Sequence, residues 1–340
     1  MGALIAASLA GSTVSLIPWG IAADRFGERP VLGTGLTLCG VALLVAAETD
    51  GFAALLALLL LAGFAGASVN AASGRAVMQW FPRSQRGLAL GVRQTAIPIG
   101  GFAASLVLPH LADPAWGFRA LGLACLVTAA AGLALLREGP RLGLEEPLPA
   151  VSEAPLRDRR LWLLSWGSAL IVAPQICLVG FAVLFLHEDR GVSPQRAALV
   201  LACIQLLGIG TRIAAGRWSD IVRSRVVPLR RIALATTGLV WLTTVLVSAP
   251  LPLLVPVIVA SGALAMSWNG LAYVAAAELA GEARSGAAIG VQQTMLGVSA
   301  AVLPPAFGAL VGASGWTLGF ALVALGPLAG FLALRPLARA

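Results

Sequence analysis

The chain has 340 residues, 59% of them hydrophobic and 11% charged, with a net charge of +8 and a mean hydropathy of +0.90. A soluble domain carries about 25% charged and about 45–50% apolar residues, so this chain lacks the polar surface to cover itself in water. The composition therefore specifies a polytopic membrane protein, and apolar runs of about 20 residues favour helices over barrel strands.

All 23 basic residues are arginine. They fall in short loops between apolar runs, which is a topology signal and not a nucleic-acid-binding face. Cys39, Cys125, Cys177 and Cys203 are isolated, and only His110 and His187 are available beside them. That excludes a zinc site or a disulfide framework. Without lysine there is no phosphate-loop ATPase motif, and no cofactor is implied. An intramembrane enzyme would need clustered Asp, His or Ser, and the sequence has no such cluster.

Eleven apolar segments are predicted in chain order: 1–21, 31–47, 53–80, 87–110, 116–136, 161–186, 194–215, 229–248, 251–277, 286–312 and 315–334. Assigning alternate loops to opposite sides puts seventeen arginines on one face and three, Arg119, Arg190 and Arg196, on the other. The first face is then cytoplasmic, with the N-terminus outside and the C-terminus inside. Met1 enters an apolar run with no flanking charge, so a further helix is expected before it. The polar stretch 137–160, rich in Pro, Gly and mixed charge, reads as a cytoplasmic linker. It divides the chain into bundles 1–136 and 161–340, five helices and six.

An internal repeat supports that division. Residues 63–95 align with 262–294 at a constant offset of 199, with identities that include Ser68/Ser267, Asn70/Asn269, Gly87/Gly286, Gly91/Gly290, Gln94/Gln293 and Thr95/Thr294. The polar turn Gly20–Arg29 has an echo at an offset of 196, where Gly20, Asp24 and Arg29 match Gly216, Asp220 and Arg225. Halves in one orientation are a parallel repeat, as in large secondary transporters.

Gly20-x-x-x-Asp24-Arg25-x-Gly27-x-Arg29 resembles the cytoplasmic motif of the major facilitator superfamily, and Gly216-Arg-Trp-Ser-Asp220 resembles its second copy. In that copy Arg223 replaces the second glycine and Ile221 replaces Arg25. The segment Trp80–Gly87 and the following Gly91-Val-Arg-Gln-Thr are also similar to this superfamily. The resemblance covers the family's helices two to twelve. It implies an all-helical two-bundle fold with eleven membrane helices here, moving substrate between the halves by alternating access.

By that resemblance Gly20, Asp24, Arg25, Gly27, Arg29, Gly216, Asp220 and Arg225 form a cytoplasmic gate, with Asp24 and Arg25 as a charge latch. The alternative is a solvated topology anchor, since exposed pairs contribute only about 0–1 kcal/mol. Arg93 and Arg212 are substrate candidates inside helices, or else snorkel to headgroups. Arg75 suits a gate or interface. Asn70 and Asn269 either bind substrate or join helices. Gln175 and Tyr273 are further candidates, with Gln205 and Trp268 behind them.

Glu278 is a proton carrier or a boundary charge. Three helix-borne arginines against this one helix-end carboxylate favour an anionic solute. The expected function is secondary active transport in a prokaryotic cytoplasmic membrane by a monomer, with a small-molecule substrate, H+ as an optional coupling ion and the lipid bilayer as partners. A multidrug/proton exporter and a transport-inactive truncated remnant are the alternatives.

Overall fold

The computed structural model describes residues 2–107, 113–136 and 157–338. Among them there is no β-strand. The helices are α1 (Gly2–Phe26), α2 (Glu28–Ala47), α3 (Phe52–Gly66), α4 (Ser68–Trp80), α5 (Arg86–Gln94), α6 (Ala96–Val107), α7 (Pro114–Leu135) and α8 (Arg159–Ile171). They continue as α9 (Gly180–Leu184), α10 (Pro194–Val222), α11 (Val226–Val245), α12 (Leu251–Ala265), α13 (Asn269–Ala280) and α14 (Ser285–Ala333). Nine spans among the described residues are long and apolar enough to cross a membrane, counting α3–α4 and α12–α13 as continuous.

Two departures from the eleven segments have local causes. α14 is 49 residues long, but Gly315 at φ 80, ψ 171 breaks its helical path. Residues 86–107 are split at Thr95 into α5 and α6, neither of which meets that length alone. Most of the linker, residues 137–156, lies outside the described residues.

The chain packs as two compact units that interleave along the sequence. The first comprises Met1–Pro82, Gly100–Leu161 and Ala276–Gly297. In it α2 packs on α7 and α3, and α1 on α3 and α4. The second comprises Arg83–Ile99, Trp162–Ala275 and Val298–Ala340, and there α10 packs on α5 and α12. Its core is aromatic. Phe185 stands 5.2 Å from Phe320 and 5.1 Å from Trp316, and Phe181 stands 5.0 Å from Phe307. Such pairs add about 0.5–1.5 kcal/mol each beyond area burial. Pro174, which has no N–H to donate, precedes two π-helical turns, Gln175–Val179 and Phe185–Asp189, on either side of α9. Widened turns of this kind re-pair backbone groups that a proline leaves open.

The repeat recurs in the breaks. α3 gives way to α4 at Ala67, and α12 gives way to α13 across Met266, Ser267 and Trp268. Carbonyls near each break receive side-chain donors at repeat-related positions. Ser15 donates to the Phe64 carbonyl at 2.8 Å, and Thr211 donates to the Ala263 carbonyl at 2.7 Å.

Candidate functional site

The Gly20–Arg29 stretch corrects the reading of it as a polar turn. α1 stays helical through Phe26, and only Gly27, at φ 87 and ψ 168, departs before α2 begins at Glu28. The two acids can remain on helices because neighbouring elements pair them. Asp24 accepts hydrogen bonds from the backbone amides of Gly286 at 2.9 Å and Ala287 at 2.8 Å. These are the first-turn amides of α14, which no carbonyl within their own helix can satisfy. A carboxylate there meets both orphan donors and the positive end of the helix dipole.

The cation of this site is Arg75 on α4, not Arg25. Its Nε lies 3.4 Å from Asp24 Oδ1, and its Nη1 is bonded to Glu28, which is 2% exposed. Gln79, one turn after Arg75, closes the network when its amide is turned to the orientation that suits its neighbours, with the nitrogen 2.9 Å from Glu28 Oε1 and the oxygen 2.7 Å from Arg75 Nη2. Arg25 is exposed and lies 5.3 Å over the Phe26 ring; Arg29 is also exposed. Sequence reasoning missed Glu28 and Gln79. Gln79 stands one helical turn beyond Arg75, and that spacing was the available signal; Glu28 opens a different helix from Asp24, and no helical spacing pointed to it.

Asp220 repeats the arrangement in the second unit. It accepts from the amides of Gly87 at 3.0 Å and Leu88 at 2.8 Å, in the first turn of α5. Its cation is Arg225, whose Nη1 is 2.5 Å from Asp220 Oδ1 and 2.8 Å from Ser219 Oγ, and whose Nη2 bonds the Arg83 carbonyl. Close approach makes both clamps possible. A Cβ on Gly286 would sit 2.6 Å from the Gly20 carbonyl oxygen, and one on Gly87 2.5 Å from that of Gly216. Only glycine lets the backbones meet at that distance, and it leaves the amides open to the aspartate.

A second polar cluster gathers four of the six substrate candidates within the second unit. Tyr273 is 6% exposed; the side chains of Asn269 and Gln94 are within its hydrogen-bonding reach, and Arg93 and Arg212 are its charged neighbours. Arg93 bonds the Gln94 side chain at 2.7 Å. Arg212 is 1% exposed and donates to the backbone carbonyls of Met266 at 2.8 Å and Gln94 at 2.6 Å.

The Gln94 carbonyl needs that donor. The residue four positions on is Pro98, which has no N–H to offer. Arg212 thus fixes the break between α5 and α6 as well as the end of α12. The Asn269 side-chain oxygen and the indole N–H of the fully buried Trp268 have no hydrogen-bond partner among the described residues. Asn70 belongs to the first unit and Gln175 opens the first π-helical turn.

Among the described residues no group of three or more His, Cys, Asp or Glu side chains could hold a metal. The geometry is that of salt-bridged helix ends and a buried polar cluster that carries two arginines.

Comparison with known proteins agrees with this architecture. The Major Facilitator Superfamily model matches residues 1–272. An uncharacterized MFS-type transporter of Mycobacterium tuberculosis is 35% identical over 322 residues, 94% of this chain and 72% of that protein. The hexuronate transporter of Bacillus subtilis is 23% identical over 255 residues, 69% of this chain and 60% of that protein. The crystal structure of the E. coli fucose:proton symporter superposes with a TM-score of 0.76 at 16% identity, covering 98% of this chain and 90% of that one. The chain is a helical integral membrane protein that belongs to the Major Facilitator Superfamily, a family of transporters and not of enzymes.

Proposed function

We propose that this chain is a secondary active transporter of a small organic anion, working by alternating access in a prokaryotic cytoplasmic membrane. The observation that carries the anionic substrate is the Arg93–Arg212–Tyr273–Asn269–Gln94 cluster. Tyr273 is an ionisable neighbour of both guanidinium groups. Two guanidinium groups gathered about one buried tyrosine on membrane-spanning helices favour an anionic guest. Arg212 holds the scaffold through two carbonyls, so Arg93 is the direct contact and Arg212 the positioning residue. The hexuronate transporter among the relatives is named for a solute of this charge.

The halves that move are residues 1–136 and 161–340, joined by 137–160. Asp24 and Asp220 each bond a helix on the far side of that linker, so each can be made and broken as the halves rock. The two clamps are thereby the cytoplasmic gate, closed while the carboxylates sit on the helix ends.

The test is uptake into proteoliposomes of labelled small carboxylates, a hexuronate among them, against their neutral counterparts. The expected result is accumulation of a carboxylate and its loss in Arg93→Gln, with the variant still folded in the bilayer. Preference for the neutral compounds, or carboxylate uptake indifferent to Arg93→Gln, would overturn the reading.

A further inference from the structure

The second motif copy differs from the first in two positions that the gate does not use. Ile221 stands where the first copy has Arg25, and Arg223 where it has Gly27. Beside them opens a cavity of about 410 Å³, lined by Arg83, Ser84, Asp220, Arg223 and Arg225. A second cavity of about 470 Å³ shares Ser84 and Asp220 with it and adds Arg217 to the lining. Four arginines therefore face one carboxylate, and that carboxylate is already held by the α5 amides and Arg225. The net field of the cavity is positive.

The backbone marks the same place. Arg223 adopts φ 54, ψ 31, a left-handed conformation rarely taken by residues other than glycine and asparagine, and it does so where the other copy has glycine. Its apolar neighbours point outward, with Ile221 70% and Val222 42% exposed. A cationic cavity rimmed by exposed aliphatic side chains, at the end of a membrane-spanning helix, matches a molecule with a phosphate head and an acyl tail. Guanidinium groups suit phosphate oxygens by their paired donors. The loops on this face also carry the chain's arginine excess, where anionic lipid concentrates in the cytoplasmic leaflet.

We infer that the cavity lined by Arg83, Arg223 and Arg225 binds the phosphodiester headgroup of an anionic phospholipid, with Arg217 in the adjoining cavity adding to its positive field and Ile221 and Val222 against its acyl chains. An occupant there lies against Asp220, so lipid composition would bear on that clamp.

The experiment uses the purified, delipidated full chain in detergent and follows thermal unfolding. Short-chain phosphatidylglycerol, phosphatidylcholine of the same chain length and inorganic phosphate are titrated separately. Phosphatidylglycerol is expected to raise Tm saturably, and the other two are not. Arg83→Gln and Arg223→Gly should each weaken the apparent affinity about tenfold, the loss of one charge-assisted contact. Arg223→Gly suits the backbone at that position, so its effect is not one of misfolding. Arg335→Gln, which removes an exposed arginine outside the cavity lining, should leave the shift unchanged.

An equal shift from inorganic phosphate would make the ligand a free anion and overturn the lipid assignment. An equal loss in Arg335→Gln would make the attraction diffuse. No shift with phosphatidylglycerol, or a full shift in both cavity variants, would also refute the site. None of these readouts involves transport, so the outcome is separate from that of the proposed substrate.

Discussion

The two aspartate clamps are built to one plan and neutralised in two ways. In each, a carboxylate at the end of a long helix takes two first-turn amides of another helix, across a glycine–glycine contact. The first clamp draws its cation from a third helix, Arg75 on α4, and shares it with a second buried acid, Glu28. The second draws its cation from five residues along its own chain, Arg225. The repeat equivalent of Arg75 is Val274, and that of Glu28 is Ser224. What the copies preserve is the carboxylate on the helix end; the countercharge need only come within reach. The first clamp is thus a three-helix network and the second is a two-element one with a local cation.

That difference can be broken experimentally. Arg75→Gln takes from Asp24 and Glu28 the cation they share, and removing one partner of a buried pair costs about 3–5 kcal/mol. A large fall in Tm in detergent is the expected result, partly restored by adding Glu28→Gln, since that removes one uncompensated acid. Arg225→Gln should cost less, about 2 kcal/mol, because Asp220 keeps its two amide donors and faces no second acid. If the two single variants fall equally, the networks are not as unequal as their geometry implies. The smallest effect expected is a gain. Without added lipid, Arg223→Gly should stabilise by about 1 kcal/mol, because glycine relieves the left-handed strain. A loss of Tm there would mean the Arg223 side chain is worth more than its backbone costs.

Much of this was legible in the sequence, and the reasons are specific. Membrane character followed from composition, because lipid-facing helices must be apolar whatever they pack against. The two motif copies and the repeat were visible because glycine at a backbone contact and aspartate on a helix end have few substitutes. Arg75 could be placed near a gate from its position in its helix, yet its pairing with Asp24 could not, since 51 residues separate them. Arg25 was named with Asp24 because the motif resemblance carries both, but neighbours in a helix point in different directions. The break at Thr95 was foreshadowed by Pro98, whose effect on the Gln94 carbonyl is local. The donor that repairs it, Arg212, is 118 residues away and appears only in the folded chain.

The claim that the carboxylate clamps belong to the transport cycle is tested most directly at Asp24. Asp24→Asn keeps the size of the side chain but puts an N–H₂ against amides that need an acceptor, and removes the charge that faces Arg75. The measurement is the initial rate of carboxylate uptake by this variant in proteoliposomes, normalised to folded protein in the bilayer. The account predicts a fall of at least about tenfold, equivalent to about 1.4 kcal/mol on the limiting step. Uptake at the rate of the unaltered protein would contradict it.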